Sequence, residues 1–72
     1  GRTLPCVLNA ANEVAVDAFL RERCSFTDIA RIVESTMDAH RIEDIESIQQ
    51  LRAIDIWARE RARYALSSLD RA

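Results

Sequence analysis

Residues 5–23 read PCVLNAANEVAVDAFLRER, and this stretch decides the fold class. Nothing in it breaks a helix, because its proline stands in the first turn, where the missing N–H is not needed. Four polar residues, Asn9, Asn12, Glu13 and Asp17, fall within about 140° of a helical wheel, and most of the others are apolar. A helix that is apolar over so much of its surface is buried on several sides. We therefore expect it either to form the centre of the domain or to carry a second face for another body.

The composition is that of one small folded domain. The chain has 72 residues, of which 49% are hydrophobic and 31% charged, with one glycine and one proline. So few turn-forming residues argue against a β-sandwich or barrel and favour helices. The net charge of −2 argues against a general nucleic-acid binder. No apolar run reaches the roughly 20 residues of a membrane span. From the charge and the hydropathy together, we expect neither nucleic acid nor a membrane as a partner.

A second helix follows a break around residues 23–26. Thr27 suits the N-cap of this helix, and Asp28 suits its first turn, where a carboxylate meets the positive end of the helix dipole. Helical spacing of the apolar residues continues from there to His40. We expect an ordinary amphipathic helix over 28–40.

The third helix follows a short connection. Residues 41–46 alternate apolar and charged side chains, but six residues without a partner strand cannot form a sheet, so we expect a loop, with or without a helical turn. Ser47 and Gln50 then fit a capping box, and nothing interrupts the helix that follows. Its apolar residues recur every three or four positions along one stripe, which we expect to face the core: Ile48, Leu51, Ile54, Ala58, Ala62, Ala65 and Leu69. The sequence predicts an all-α fold, a single domain over 1–72 that is a small bundle of three main antiparallel helices, about 5–23, 28–40 and 47–68.

The two cysteines are not expected to pair. Cys6 and Cys24 stand 18 residues apart. On one helix they would lie ~27 Å apart along its axis, whereas a disulfide needs Cα atoms within about 7 Å. Neither has a neighbour at metal-ligand spacing, so the sequence favours reduced thiols and no zinc site.

The sequence offers few catalytic groups. Its one histidine, His40, stands near a helix end, where we interpret it as a capping or surface residue. Glu43, Asp44 and Glu46 could hold a divalent cation, but they lack the glycine and alternating oxygen ligands of a calcium loop. The arginines of the last helix alternate with acidic residues, which favours a solvated mixed-charge face over a phosphate-binding patch. These arginines are Arg52, Arg59, Arg61, Arg63 and Arg71. We expect no catalytic, cofactor-binding or metal-binding residue in this chain.

Asn9, Asn12 and Glu13 are the candidate functional residues. They share one narrow face of a helix that we expect to be buried, and a buried polar group without a hydrogen bond costs about 1–3 kcal/mol. Asparagine offers both a donor and an acceptor, so it suits fixing the backbone of a neighbouring loop or helix end. Contact with a substrate is the alternative. We favour a structural role in which these three residues brace one element against another.

Three stretches resemble one known family. LNAANEVAV at 8–16, followed by AFL at 18–20, is similar to a signature of the 1-deoxy-D-xylulose 5-phosphate reductoisomerases. FTDI at 26–29 and IDIWAR at 54–59 resemble later segments of the same family, in the same order. The opening Gly-x-Thr-x-Pro also fits, so the resemblance covers nearly the whole chain, although Arg2 and Cys6 depart from the pattern.

The resemblance implies an oxidoreductase of isoprenoid biosynthesis. Members of the family rearrange 1-deoxy-D-xylulose 5-phosphate and reduce it with NADPH, using a divalent metal (Mg or Mn). They do so with an N-terminal NADPH-binding domain, a central catalytic domain and a C-terminal helical bundle. This chain corresponds only to the last bundle. None of the family's cofactor, metal or substrate residues falls on a position of this sequence.

The function that we predict is therefore a scaffold domain that braces the catalytic domain of the same polypeptide. The alternative is a free-standing helical protein–protein interaction module without enzymatic activity, and a longer reading frame would exclude it. The resemblance implies a cytoplasmic location in a bacterium, with a plastid as the alternative. The isolated chain should be inactive. It should also self-associate, because two partner helices cannot cover all of the first helix. We expect the uncovered residues to include Leu8, Val14, Ala15, Phe19 and Leu20.

Overall fold

Helix α1 spans Leu4–Leu20 in the computed structural model, which describes residues 2–69. Pro5 stands in its first turn, as the sequence predicts. Thr3 occupies the N-cap position, but its side chain makes no capping hydrogen bond to the helix. Thr3 is fully buried, and its hydroxyl contacts His40 and the backbone of Glu43 instead.

The helix ends three residues before the predicted boundary at residue 23. Glu22 adopts a left-handed conformation with φ of 61°. The N–H of Glu22 donates to the carbonyl of Phe19 at 3.0 Å, and the N–H of Arg23 donates to that of Ala18 at 2.8 Å. These two bonds form a Schellman motif, which satisfies carbonyls that the helix leaves without partners. The motif usually takes glycine at the left-handed position, so a glutamate there gave no signal for a helix end.

Helix α2 spans Phe26–Ala39 and begins two residues earlier than predicted. Ser25, not Thr27, is its N-cap. The Ser25 hydroxyl accepts the N–H of Asp28 at 3.3 Å, and the Asp28 carboxylate accepts the N–H of Ser25 at 2.9 Å. This reciprocal capping box holds the pKa of Asp28 below its usual value, chiefly through the bond from the Ser25 backbone.

Helix α3 spans Ile48–Leu69, after an extended connection with no helical turn. The Ser47 hydroxyl accepts the N–H of Gln50 at 3.0 Å, which confirms Ser47 as the cap. In a capping box the Gln50 side chain would accept the N–H of Ser47, but here it binds the residues before the cap. The Gln50 side-chain oxygen accepts the N–H of Glu46 at 2.7 Å, and its nitrogen donates to Glu43 and to the carbonyl of Asp44. Gln50 therefore orders the connection.

The three helices all pack on one another in an up-down-up arrangement, and no strand forms among residues 2–69. One core cluster joins the C-terminal part of α1 to the end of α3, around Ile32 of α2. The other joins the first turns of α1 to the N-terminal half of α3, with Met37 of α2 packed against it. Consecutive helices are therefore antiparallel, which confirms the all-α bundle.

Small side chains dominate this core. On α1 the buried residues form one face, which we call the inner face: Val7, Ala10, Ala11, Val14, Ala15 and Ala18. Alanines of α3 meet it at Ala58, Ala62 and Ala65, all on the stripe that the sequence predicts. Ile48, on the same predicted stripe, is 66% exposed. Alanine against alanine lets helix axes approach closely, so few large residues are needed to fill the space.

Candidate functional site

The side of α1 that points away from the other helices is unusual for a solvated surface. We call it the outer face and define it by residues that recur at helical spacing: Pro5, Leu8, Asn9, Asn12, Val16 and Phe19. Leu8 is 44% exposed and Phe19 36% exposed, while Val16 is half-buried. Four of these residues, Pro5, Leu8, Asn9 and Asn12, line a shallow groove along the helix. The outer face therefore combines two amides with an apolar surround.

Asn9, Asn12 and Glu13, whose face we expect to be buried, are all exposed in this chain. The small residues of the inner face take the contact with α2 and α3, which leaves the polar sector outside. Asn9 donates from Nδ2 to Glu13 Oε2 at 3.0 Å, on the same helix. The side chain of Asn12 has no hydrogen-bond partner among residues 2–69. Their role in bracing a further element stays a prediction.

Glu13 does connect two helices. Its Oε2 accepts a hydrogen bond from Arg59 of α3 at 3.1 Å, and Arg59 also donates from Nε to Asp55 at 2.9 Å. The bond to Asp55, more than that to Glu13, raises the pKa of the Arg59 guanidinium above its usual value. This ion-pair chain lies beside the outer face and joins α1 to α3.

A mixed-charge cleft of about 310 Å³ lies between α1 and α3. Arg23, Arg59 and Arg63 line it, together with Glu13 and Asp17. Carboxylates in the same cleft neutralise much of the positive charge that a phosphate would need. The cleft therefore fits the predicted mixed-charge face. Arg71, the last arginine of the predicted set, lies outside the described residues.

His40 has a role that the sequence did not reveal. Its Nε2 lies 2.8 Å from the Thr3 hydroxyl, and its ring packs 5.5 Å from that of Trp57. The Thr3 hydroxyl also accepts the N–H of Glu43 at 2.9 Å. Thr3 and Glu43 further share a backbone hydrogen bond of 3.1 Å. The side chain of His40 thus joins the start of α1 to the α2–α3 connection. Thr3 and His40 are 37 residues apart, too far for any local pattern to predict their contact.

The cysteines do not form a disulfide with each other. Cys6 Sγ donates to the carbonyl of Leu51 at 3.7 Å, and Cys24 Sγ donates to that of Ala15 at 3.9 Å. Burial is the main cause that raises the pKa of the Cys6 thiol, with a smaller contribution from Asp55. Both thiols act as weak donors to neighbouring helices.

Neither an NADPH site nor a metal site is recognisable among residues 2–69. Within residues 2–69, no group of three or more His, Cys, Asp or Glu lies close enough to hold a metal. Gln50 binds the Glu43 carboxylate and the main chain of Asp44 and Glu46, and the Asp44 carboxylate pairs with Arg2 at 3.7 Å, so two of the three carboxylates have partners within the chain. The chain's single glycine is residue 1, so no glycine-rich loop is available for a dinucleotide phosphate. None of the described helices is long and apolar enough to cross a membrane.

Known proteins similar to this chain are reductoisomerases. The chain is 53% identical over 68 residues to the 1-deoxy-D-xylulose 5-phosphate reductoisomerase of Geotalea daltonii. The matched stretch covers 94% of this chain and 18% of that protein. It is 54% identical over 63 residues to the enzyme of Chlorobium phaeobacteroides, covering 88% of this chain and 16% of that protein. The solved reductoisomerase of Zymomonas mobilis in complex with NADPH superposes with a TM-score of 0.81 at 45% identity, covering 86% of this chain and 16% of that one.

The chain thus spans less than a fifth of the length of the relatives that it matches. Within that span the match is close along both sequence and structure, in agreement with the resemblance of the signature at 8–16. The family model for the DXP reductoisomerase C-terminal domain matches residues 1–61. The chain belongs to the family of DXP reductoisomerase C-terminal domains.

Proposed function

We propose that this chain is the C-terminal scaffold domain of a longer 1-deoxy-D-xylulose 5-phosphate reductoisomerase. One observation supports the proposal. Relatives that bear that name are about half identical to this chain over 88–94% of its length, and each relative is more than five times as long as the stretch that matches. A free-standing interaction module would have no reason to share so much sequence with one enzyme family. Family membership therefore favours the scaffold over that alternative.

The chemistry belongs to other parts of the longer protein. The Zymomonas mobilis relative was solved in complex with NADPH. The side chains of this chain provide neither a dinucleotide loop nor a metal-ligand cluster among the described residues. The parent enzyme supplies the sites for NADPH and a divalent metal. What this chain supplies is a preformed helical body on which the catalytic domain packs, so that its active-site cleft keeps its shape.

Location and self-association follow from the same proposal. The relatives come from bacteria, and we place the parent enzyme in the bacterial cytoplasm, with a plastid as the alternative. Separated from the parent, the domain exposes Leu8, Phe19 and Leu20 on α1 and Phe26 at the start of α2. The isolated chain should therefore self-associate. Val14 and Ala15, which we expected in this surface, lie in the core instead.

The experiment compares three purified proteins: the longer protein, the same protein truncated before this domain, and the 72-residue chain alone. The longer protein should oxidise NADPH in a manner that depends on 1-deoxy-D-xylulose 5-phosphate. The truncated protein should lose activity or soluble yield, and the chain alone should show neither activity nor NADPH binding. Full activity of the truncated protein, or turnover by the chain alone, would contradict the proposal.

A further inference from the structure

The outer face of α1 has the composition of a contact surface. We infer that the rest of the reductoisomerase polypeptide covers this face with main-chain groups, to which the amides of Asn9 and Asn12 hydrogen-bond. The inference rests on the proposed function, because it identifies which surface of the scaffold meets the rest of the protein and by what chemistry.

The amides are suited to main chain. The side chain of Asn12 is exposed and has no hydrogen-bond partner within residues 2–69. The side chain of Asn9 makes one hydrogen bond there, from Nδ2 to Glu13. Each therefore keeps an acceptor oxygen, and Asn12 also keeps both of its donor hydrogens. Main chain presents both N–H donors and C=O acceptors, so one asparagine amide can accept from an N–H and donate to the C=O of a different peptide group. Ionised carboxylates only accept and ammonium groups only donate.

The apolar surround gives these amides an environment in which hydrogen bonds are strong. Leu8, Val16 and Phe19 flank them, and the exposed ring of Phe26 packs edge-on against Phe19 at 5.8 Å. A partner that covers these side chains removes water from the amides and buries apolar area. The outward side of α2 shows the contrast, because its exposed side chains at the corresponding spacing are mainly charged: Arg31, Glu34 and Asp38.

The same polypeptide is a better occupant than a second copy. The outer face has six residues, whereas stable interfaces between separate proteins use roughly 20–30 residues on each side. Two copies placed face to face would also bring asparagine against asparagine and supply no main chain to either. A contact within one polypeptide avoids the translational and rotational entropy loss of association. Relatives several times the length of this chain have ample polypeptide to provide it.

Substitution of Asn12 in the longer protein tests the hydrogen bonds. Asn12→Asp keeps the size but removes the donor and adds a charge, so the melting temperature should fall by about 2–4 °C or more if the face is covered. Gln49→Glu is the matched control, because Gln49 is an exposed amide on α3, away from the outer face. The control should leave the melting temperature unchanged. Equal melting temperatures for both variants and the wild type would overturn the inference.

A footprint of the wild-type longer protein tests coverage without any substitution. Hydroxyl radicals should oxidise Leu8 and Phe19 several-fold more slowly than Ile48 and Ile56 of α3, after each rate is normalised to the denatured protein. Comparable rates would overturn the inference. Protection that increases with protein concentration would also overturn it, because a second copy would then cover the face. If reductoisomerase activity accompanies an open face, the inference fails and the proposed function stands.

Discussion

The inner and outer faces of α1 have opposite relations to the rest of the chain. Every residue of the inner face is buried against α2 or α3, and four of the six are alanine. The outer face carries Leu8, Phe19 and two asparagines, and it stays largely exposed within residues 2–69, with Phe26 packed against Phe19 at one end. Both faces are too apolar to be ordinary solvated surfaces, but only the inner face is buried against other helices of this chain. The comparison separates what the bundle needs to fold from what it offers to another part of a larger protein.

The largest effect should come from the residue that fills the space beside the inner face. Ile32 is 1% exposed at the centre of one core cluster, and Ile32→Ala should lower the free energy of unfolding by about 2–5 kcal/mol. Ile56→Ala removes the same atoms at a site that is 58% exposed and should cost far less. Urea unfolding followed by circular dichroism measures both. Similar losses would show that the core is not where the structure places it.

The inner face should also resist added volume. Ala11 is fully buried, and Ala11→Leu should destabilise the bundle by about 1–3 kcal/mol because it separates α1 from its neighbours. Ala30→Leu makes the same change at an exposed position of α2 and should be nearly neutral. The same unfolding assay measures both variants. If Ala11→Leu is tolerated as well as its control, the inner face is not closely packed.

The start of α1 should depend on one buried hydroxyl. Thr3→Val keeps the shape but leaves the N–H of Glu43 and Nε2 of His40 without their partner, which should cost about 1–3 kcal/mol. Thr3→Ser retains the hydroxyl and should lose less. A nitrogen-15 NMR spectrum should show the Glu43 amide shifted in the valine variant but not in the serine variant. An unshifted Glu43 amide in the valine variant would exclude this contact.

The smallest effect should come from the ion pair at the edge of the outer face. The Glu13 side chain is 56% exposed and that of Arg59 30% exposed, so solvent screens their attraction. Glu13→Gln should lower the free energy of unfolding by less than about 1 kcal/mol. The loss should shrink as salt is added. A larger loss that salt does not change would show that Glu13 has a buried partner.

The sequence predicted the features that depend on periodicity. The stripe through Ile54, Ala58 and Ala62 is buried, and three helices form within a few residues of their expected bounds. Helix ends were less predictable, because Glu22 adopts a conformation that usually signals itself by glycine. The contact of Thr3 with His40 has no local signature at all. Periodicity reports which side of a helix is apolar, but it cannot report which apolar side meets a partner in the same chain.

For that reason the expected burial of Asn9, Asn12 and Glu13 was wrong for this chain, and Val14 and Ala15 were expected on the uncovered surface although they lie in the core. The wheel of α1 shows one broad apolar surface interrupted by polar residues, and nothing in it marks where α2 and α3 end their contact. Alanine content is the feature that distinguishes the two faces in the structure, since close helix packing selects small residues.

One substitution measured in two contexts tests the central claim most directly. Asn12→Leu should leave the melting temperature of the 72-residue chain unchanged or slightly higher, because the Asn12 side chain has no hydrogen-bond partner within residues 2–69 and leucine favours the helix. In the longer protein the same substitution should lower the melting temperature by about 2–4 °C, with little change in NADPH affinity. An equal change in both contexts, or lost NADPH affinity at an unchanged melting temperature, would contradict the account.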